Sequence, residues 1–165
     1  MQRVYSLLVD NNSGVLSRIS GLFTRRGYNI DSITAGVTAD SRFTRMTIVS
    51  SGDEIILSQI EKQIAKLEDV IVVKVLKPEE SVYRELILVK IRANAQQRSE
   101  IVSIADIFRA KIVDAERESL VIELTGTQSK LEAFLQLLDG YEILELARTG
   151  IAGLSRGIKD VTFIE

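Results

Sequence analysis

The sequence predicts an α+β protein made of two consecutive β-α-β-β-α-β units. Each is an antiparallel sheet with both helices on one face. Three observations lead there. The apolar residues switch, twice and in the same order, between the two-residue period of strands and the 3.6-residue period of helices. The only proline, Pro78, lies near the midpoint in the polar stretch Lys77-Pro78-Glu79-Glu80-Ser81, between two apolar, periodic halves. Right-handed β-α-β crossovers then place both helices of such a unit on the same side of its sheet. The resulting division is a first domain over 1–77, a linker over 78–83, and a second domain over 84–165 that includes a glycine-rich tail.

In the first half, Arg3 to Val9 reads as a strand. Val15, Leu16, Ile19, Leu22 and Phe23 then recur at helical spacing and form one apolar stripe. Asn12 or Ser13 is placed to cap that helix, Arg25 and Arg26 suit its last turn, and Gly27 ends it. Asn29 to Thr38 and Phe43 to Val49 read as two strands around the turn Ala39-Asp40-Ser41-Arg42. Asp53 caps a second helix whose apolar face is Ile56, Ile60, Ile64 and Leu67, and Val70 to Leu76 closes the unit.

The second half repeats the order with little residue identity. Glu85 to Ala93 is a strand, and Ile101, Ile104, Ala105 and Phe108 form a helical stripe. Lys111 to Glu116 and Leu120 to Thr125 form a hairpin-like pair. Thr127 caps a helix carrying Leu131, Phe134, Leu135 and Leu138, and Ile143 to Ala147 closes the unit. In both units one sheet face and the edge strands are left uncovered, which favours association between halves or between chains. The tail, Thr149 to Gly157, lacks the Gly-Lys-Ser/Thr of a phosphate loop. It reads either as a mobile terminus or as a segment that orders on a partner protein.

Composition narrows the function classes. The 165 residues carry a net charge of −2, so nothing offers a polyanion a broad basic surface, and nucleic acid is not an expected partner. The longest apolar runs, such as Val70-Ile71-Val72-Val73, are far too short to span a bilayer, and no signal peptide is visible, so the cytoplasm is the expected location. The chain has no cysteine, no histidine and no tryptophan. It therefore lacks a thiolate nucleophile, a disulfide, a Cys/His metal site and the commonest general base near neutral pH. No metal site and no acid–base pair stands out. The carboxylates, among them Glu54, Glu61, Glu68 and Asp69, fall on polar faces and turns. Gly21, in mid-helix, marks either a close contact or a merely tolerated glycine.

One candidate site remains. Val9 to Ile19 reads as a strand end, a tight polar turn and a helix start, which aims unpaired N–H groups and the positive end of a helix dipole at a small anion. Gly14 and Val15 open the helix, and glycine lets a ligand approach the backbone closely. Asn11 and Asn29 can accept from an ammonium group, and Leu16 and Ile30 can form an apolar wall. Together these suit the head group and alkyl chain of a free branched-chain amino acid. The same residues also make a routine turn, a helix cap and a helix stop.

The whole chain resembles the regulatory (small) subunit of acetohydroxyacid synthase, also called acetolactate synthase. The segments that carry the resemblance are Val9 to Arg18, Gly21 to Ile30, Arg45-Met46-Thr47-Ile48, Leu88-Val89-Lys90-Ile91, Arg148-Thr149-Gly150 and Gly153 to Gly157. The first half resembles an ACT domain, a ferredoxin-like amino-acid-sensing module, and the implied fold is two ferredoxin-like domains. The resemblance implies a non-catalytic subunit without cofactors of its own. It implies a larger catalytic partner carrying thiamine diphosphate, Mg and FAD, which this subunit activates and makes sensitive to valine or a related end product. It further implies side-by-side pairing of ACT domains, with Asn11, Gly14, Val15 and Leu16 from one chain and Asn29 and Ile30 from the other around the effector. The second domain is expected to bind the catalytic subunit. Asp10 and Asp31 stand where the family often has glutamate, which leaves the preferred effector open. The competing readings are an ACT regulator of another biosynthetic enzyme, a small enzyme on the same scaffold, and an amino-acid-responsive transcription factor. The last needs a basic recognition helix that neither half offers.

Overall fold

The computed structural model describes residues 1–158; the end of the chain, 159–165, lies outside the described residues. The chain divides into two units. The first comprises Met1–Tyr83 together with the tail from Ile151, and the second comprises Arg84–Gly150.

In the first unit β1 (Gln2–Asp10) leads to α1 (Val15–Arg26), β2 (Ser32–Val37), β3 (Phe43–Ser51), α2 (Glu54–Ile64) and β4 (Val70–Leu76). The strand order is β2-β3-β1-β4, with each of the three neighbouring pairs antiparallel. The predicted β-α-β-β-α-β unit is therefore present. Alternation along β1 sends Tyr5, Leu7 and Val9 toward the helices, where they pack with Ile19, Leu22, Phe23, Met46, Ile48, Leu57, Ile60 and Ile64. Leu57, absent from the expected stripe, is fully buried, whereas Ile56 is only partly covered. The Tyr5 hydroxyl donates to Leu57 O at 2.7 Å, and burial pushes its pKa up to about 12.

Caps follow the sequence in part. Asp53 accepts from the Ile56 amide at 2.8 Å, and Gly27 ends α1 in the left-handed region with φ 68°. The start of α1 differs from expectation: the N-cap is Gly14, and neither Asn12 nor Ser13 caps the helix. The turn out of β1 needs a left-handed residue at this point, φ 86°, and glycine supplies it without a Cβ clash. Strand β2 is shorter than expected, because Asn29 and Ile30 stay in the connection before it. A Cβ at Gly21 would touch only the Arg25 side chain, at 3.5 Å, so this glycine marks no close helix contact.

The second unit contains most of β5 (Ser81–Arg92), then α3 (Ala95–Ile107), β6 (Lys111–Ala115), β7 (Ser119–Gly126), α4 (Gln128–Leu137) and β8 (Ile143–Arg148). Its sheet order, β6-β7-β5-β8, repeats the topology of the first. Ile87, Val89 and Ile91 of β5 and Leu120, Ile122 and Leu124 of β7 face Ile101, Ala105, Leu131 and Phe134 of the helices. Thr127 caps α4 as expected, and Asn94 and Gln97 form an unanticipated capping box on α3.

The linker stretch over 78–83 is ordered: Pro78–Glu80 forms one 3-10 turn, β5 begins at Ser81, and the division between the units falls after Tyr83. One expectation is corrected. The tail, read as part of the second domain and as mobile or partner-bound, instead packs on the first unit. Its residues Ala152–Ser155 form β9, which pairs with β5. Ile151 is buried with Val4, Val49, Leu76 and Tyr83, so the face of the first sheet opposite the helices is not bare. The physical reason is a close backbone approach. The Gly153 amide donates to Thr47 Oγ1 at 3.2 Å, and a Cβ on Gly153 would stand only 2.8 Å from Leu76 Cδ1.

Candidate functional site

The first turn of α1 is the chemically unusual place in the first unit. The first intrahelical bond runs from the Arg18 amide to Gly14 O at 2.9 Å. The amides of Val15, Leu16 and Ser17 consequently have no acceptor one turn back, and no side chain caps them. Among the described residues no other group accepts from them. Three N–H groups and the positive end of a 12-residue helix dipole thus face outward beside a residue with no side chain. Val15 is buried in the core and offers only its backbone; Leu16, half exposed, offers its side chain to the surface.

Asn11 stands beside this turn at the end of β1, and the chain already uses it. Its backbone amide donates to Arg42 O at 2.8 Å, and its Nδ2 donates to Ser41 O at 2.8 Å. Its Oδ1 accepts from the Thr44 hydroxyl at 3.1 Å. Asn11 therefore ties the β2–β3 turn to the helix start, and a ligand ammonium would share Oδ1 with Thr44.

Arg18 completes this end of the domain, and sequence reasoning did not single it out. Its Nε donates to Asp69 Oδ2 at 2.5 Å, and this hydrogen bond holds the Asp69 carboxyl below the usual carboxylate range. A Cβ at Gly14 would lie 3.0 Å from Arg18 Nη1, so the guanidinium overhangs the helix start. The four-residue step from Gly14 to Arg18 is the one signal that could have found it. Asp69 is 51 residues from Arg18, and no local pattern connects them.

Asn29 and Ile30 lie elsewhere. They follow the C-terminal end of α1, and a 12-residue helix at 1.5 Å per residue is about 18 Å long. Asn29 Nδ2 donates to Asp31 Oδ1, and Asn29 O accepts from the Ser50 hydroxyl. Asn29 is exposed, and among the described residues its Oδ1 has no donor. Ile30 is partly buried against the first core. One chain therefore brings Asn11, Gly14, Val15 and Leu16 together and leaves Asn29 and Ile30 at the other end of the same helix.

Residues 84–157 match the family described as the small subunit of acetolactate synthase, and residues 5–72 match the acetohydroxyacid synthase small subunit-like ACT domain. The chain belongs to the acetolactate synthase small-subunit family. It is a regulatory subunit, as distinct from the large subunit that carries the catalytic activity. A probable acetolactate synthase small subunit of Methanothermobacter thermautotrophicus is 48% identical over 93% of this chain and 92% of its own length. The small subunit of acetolactate synthase isozyme 3 of Escherichia coli is 48% identical over 96% of this chain and 98% of its own. The crystal structure of the acetolactate synthase small subunit from Thermotoga maritima superposes with a TM-score of 0.88 at 41% identity, covering 96% of this chain and 99% of that one. Among the described residues, no helix is long and apolar enough to cross a membrane, and no cluster of three or more His, Cys, Asp or Glu is placed to hold a metal ion.

Proposed function

We propose that this subunit activates the catalytic subunit of acetolactate synthase and makes it sensitive to feedback by a branched-chain amino acid, with valine the first candidate. The effector sits between the ACT domains of two copies. Its carboxylate rests on the open amides at Gly14, Val15 and Leu16 of one copy. Its ammonium meets Asn11 and, from the other copy, Asn29; Leu16 and the second copy's Ile30 flank its alkyl chain. Thiamine diphosphate, Mg and FAD belong to the large subunit, and the assembly works in the cytoplasm.

The observation that carries this reading is the uncapped, left-handed Gly14 start of α1. A helix end left without a side-chain cap stays hydrated in the free protein and is available to an anion. The length of α1 supports a shared site, since the two sets of residues can converge only if two copies supply them. Regulation then follows from linkage. A ligand held by both copies binds tightly in one pairing geometry only, so it biases that geometry, and the geometry biases how the large subunit is held.

The test is reconstitution. The large subunit, purified with and without this chain, is assayed for acetolactate formation across a valine titration. Stimulation by the chain, reversed by valine in the micromolar to millimolar range, is the expected result. An unstimulated large subunit, or stimulation that tens of millimolar valine, leucine and isoleucine leave untouched, refutes the assignment.

A further inference from the structure

We propose that Arg18, buttressed by Asp69, reads the carboxylate of the amino-acid effector; the inference rests on the amino-acid site proposed above. A guanidinium has five N–H donors, and Asp69 engages Arg18 through Nε alone. The Nη donors are left over. Among the described residues they have no acceptor, and Nη1 is the atom that a Cβ on Gly14 would meet at 3.0 Å. They stand over the same helix start that presents the open amides of Val15, Leu16 and Ser17.

The buttress is firm where the reader is accessible. The Asp69 side chain is 17% exposed and that of Arg18 is 50% exposed. The Asp69 carbonyl is pinned to the end of β1 by the Asp10 amide at 2.9 Å. Asp69 thus fixes one edge of the guanidinium plane and turns the rest toward Gly14. A planar, permanently charged fork suits a carboxylate, and part of its ordering is already done before the ligand arrives. The arrangement therefore favours ligands with a free acid group, because the neutral oxygen of an amide or an alcohol in its place accepts more weakly and forms no bidentate ion pair. Arg18 could instead serve only to neutralise Asp69, so the experiment has to separate the two roles.

Calorimetry of the full chain with L-valine does so. Arg18→Gln is expected to weaken binding about 10- to 100-fold, the range of a lost charge-assisted hydrogen bond, and Arg18→Lys to recover part of the loss. L-valinamide is expected to bind the wild-type chain at least about tenfold more weakly than L-valine. The double variant Arg18→Gln/Asp69→Asn removes the carboxylate stranded by the single change and is expected to remain weak. Thermal unfolding of each variant accompanies the titrations, and midpoints near that of the wild type are expected. Wild-type affinity in the double variant, or in Arg18→Gln itself, overturns the role of Arg18 while leaving the amino-acid site standing. Equal affinity for valine and valinamide does the same. A wild-type chain that binds none of valine, leucine and isoleucine overturns the site and this inference together.

Discussion

At the scale of single residues, Gly14 does two jobs that no other residue type can combine. Its φ of 86° lets the chain turn from β1 into α1, and its missing side chain leaves room under Arg18. Alanine there keeps the amides open but forces an L residue into the left-handed region, which costs about 1–2 kcal/mol. Gly14→Ala should therefore lower the urea midpoint of the first unit, and its Cβ, 3.0 Å from Arg18 Nη1, should crowd the proposed acid-end position and weaken valine feedback, as a denaturation curve and an inhibition assay together will show. Aspartate differs in kind. Asp tolerates left-handed backbone better than most residues, and its carboxylate reaches the open amides and the guanidinium of Arg18. It would occupy from within the position proposed for the effector's acid end. Gly14→Asp should weaken valine binding by about tenfold or more through lost hydrogen bonds and like-charge repulsion while sparing activation of the large subunit. A Gly14→Asp protein that remains fully valine-sensitive places the effector elsewhere.

At the scale of elements, caps and close approaches decide how each piece is held. The Asn94–Gln97 capping box satisfies two backbone amides at the start of α3. Asn94→Ala should destabilise the second unit by about 1 kcal/mol, read as a shift in its urea midpoint with an unchanged slope. Strand β9 depends on Gly153. A branched side chain there meets Leu76 and Tyr83 at under van der Waals distance, so Gly153→Val should release the tail. Faster protease cleavage at Arg156 is the expected signature; cleavage at the wild-type rate would mean that the tail tolerates the bulk. These elements also show where sequence reasoning reaches and where it stops. The strands and helices around the two main cores were legible because a buried face imposes a period, and the Asp53, Thr127 and Gly27 signals act over three or four residues. Gly14 was visible as a turn residue, but its role as the cap was hidden behind Asn12 and Ser13, which have better cap chemistry and the wrong backbone position. Strand β9 is four residues long, and Gly153 bonds to Thr47 106 residues away, so no local period announces it. The open amides of the candidate site were readable from the strand–turn–helix pattern, whereas the assignment of Asn29 and Ile30 to a second copy came from the family resemblance. The Arg18–Asp69 buttress was not readable, since only the fold brings α1 and the start of β4 together.

At the scale of the whole molecule, charge and edges set the behaviour. Asp40, Glu54, Asp69 and Glu145 are each held below the usual carboxylate range, first by hydrogen bonds from Arg42, Arg3, Arg18 and Lys90 respectively. A carboxylate depressed in the folded state stabilises it above the unfolded pKa, and that contribution is lost as pH falls through the folded value. At least one partner of each pair is exposed, so each contribution is small and screened by salt. With no histidine and no cysteine, no side chain has an ordinary pKa between 5 and 7. Urea midpoints should be flat from about pH 5 to 7 and fall below about pH 4, the fall softened by salt; a step near pH 6 would contradict this assignment.

The edges make the sharper prediction. Among the described residues strand β2 pairs only with β3, which makes its outer side a candidate joint with a second copy. The Thr38 amide donates inward to Phe43 O at 3.0 Å. By the alternation of an antiparallel ladder, Gly36, Thr34 and Ser32 also turn inward, and Val37, Ala35 and Ile33 send their amides outward. Proline at 35 therefore removes one outward donor and leaves the β2–β3 ladder whole, which is the position where an edge strand tolerates it. If two copies join through β2, Ala35→Pro should shift the sedimentation of the chain toward the monomer and weaken valine binding in parallel, since each monomer keeps the Gly14 half of the site and loses the Asn29 half. A variant that sediments as the wild type does, with valine affinity intact, would rule out β2 as the joint.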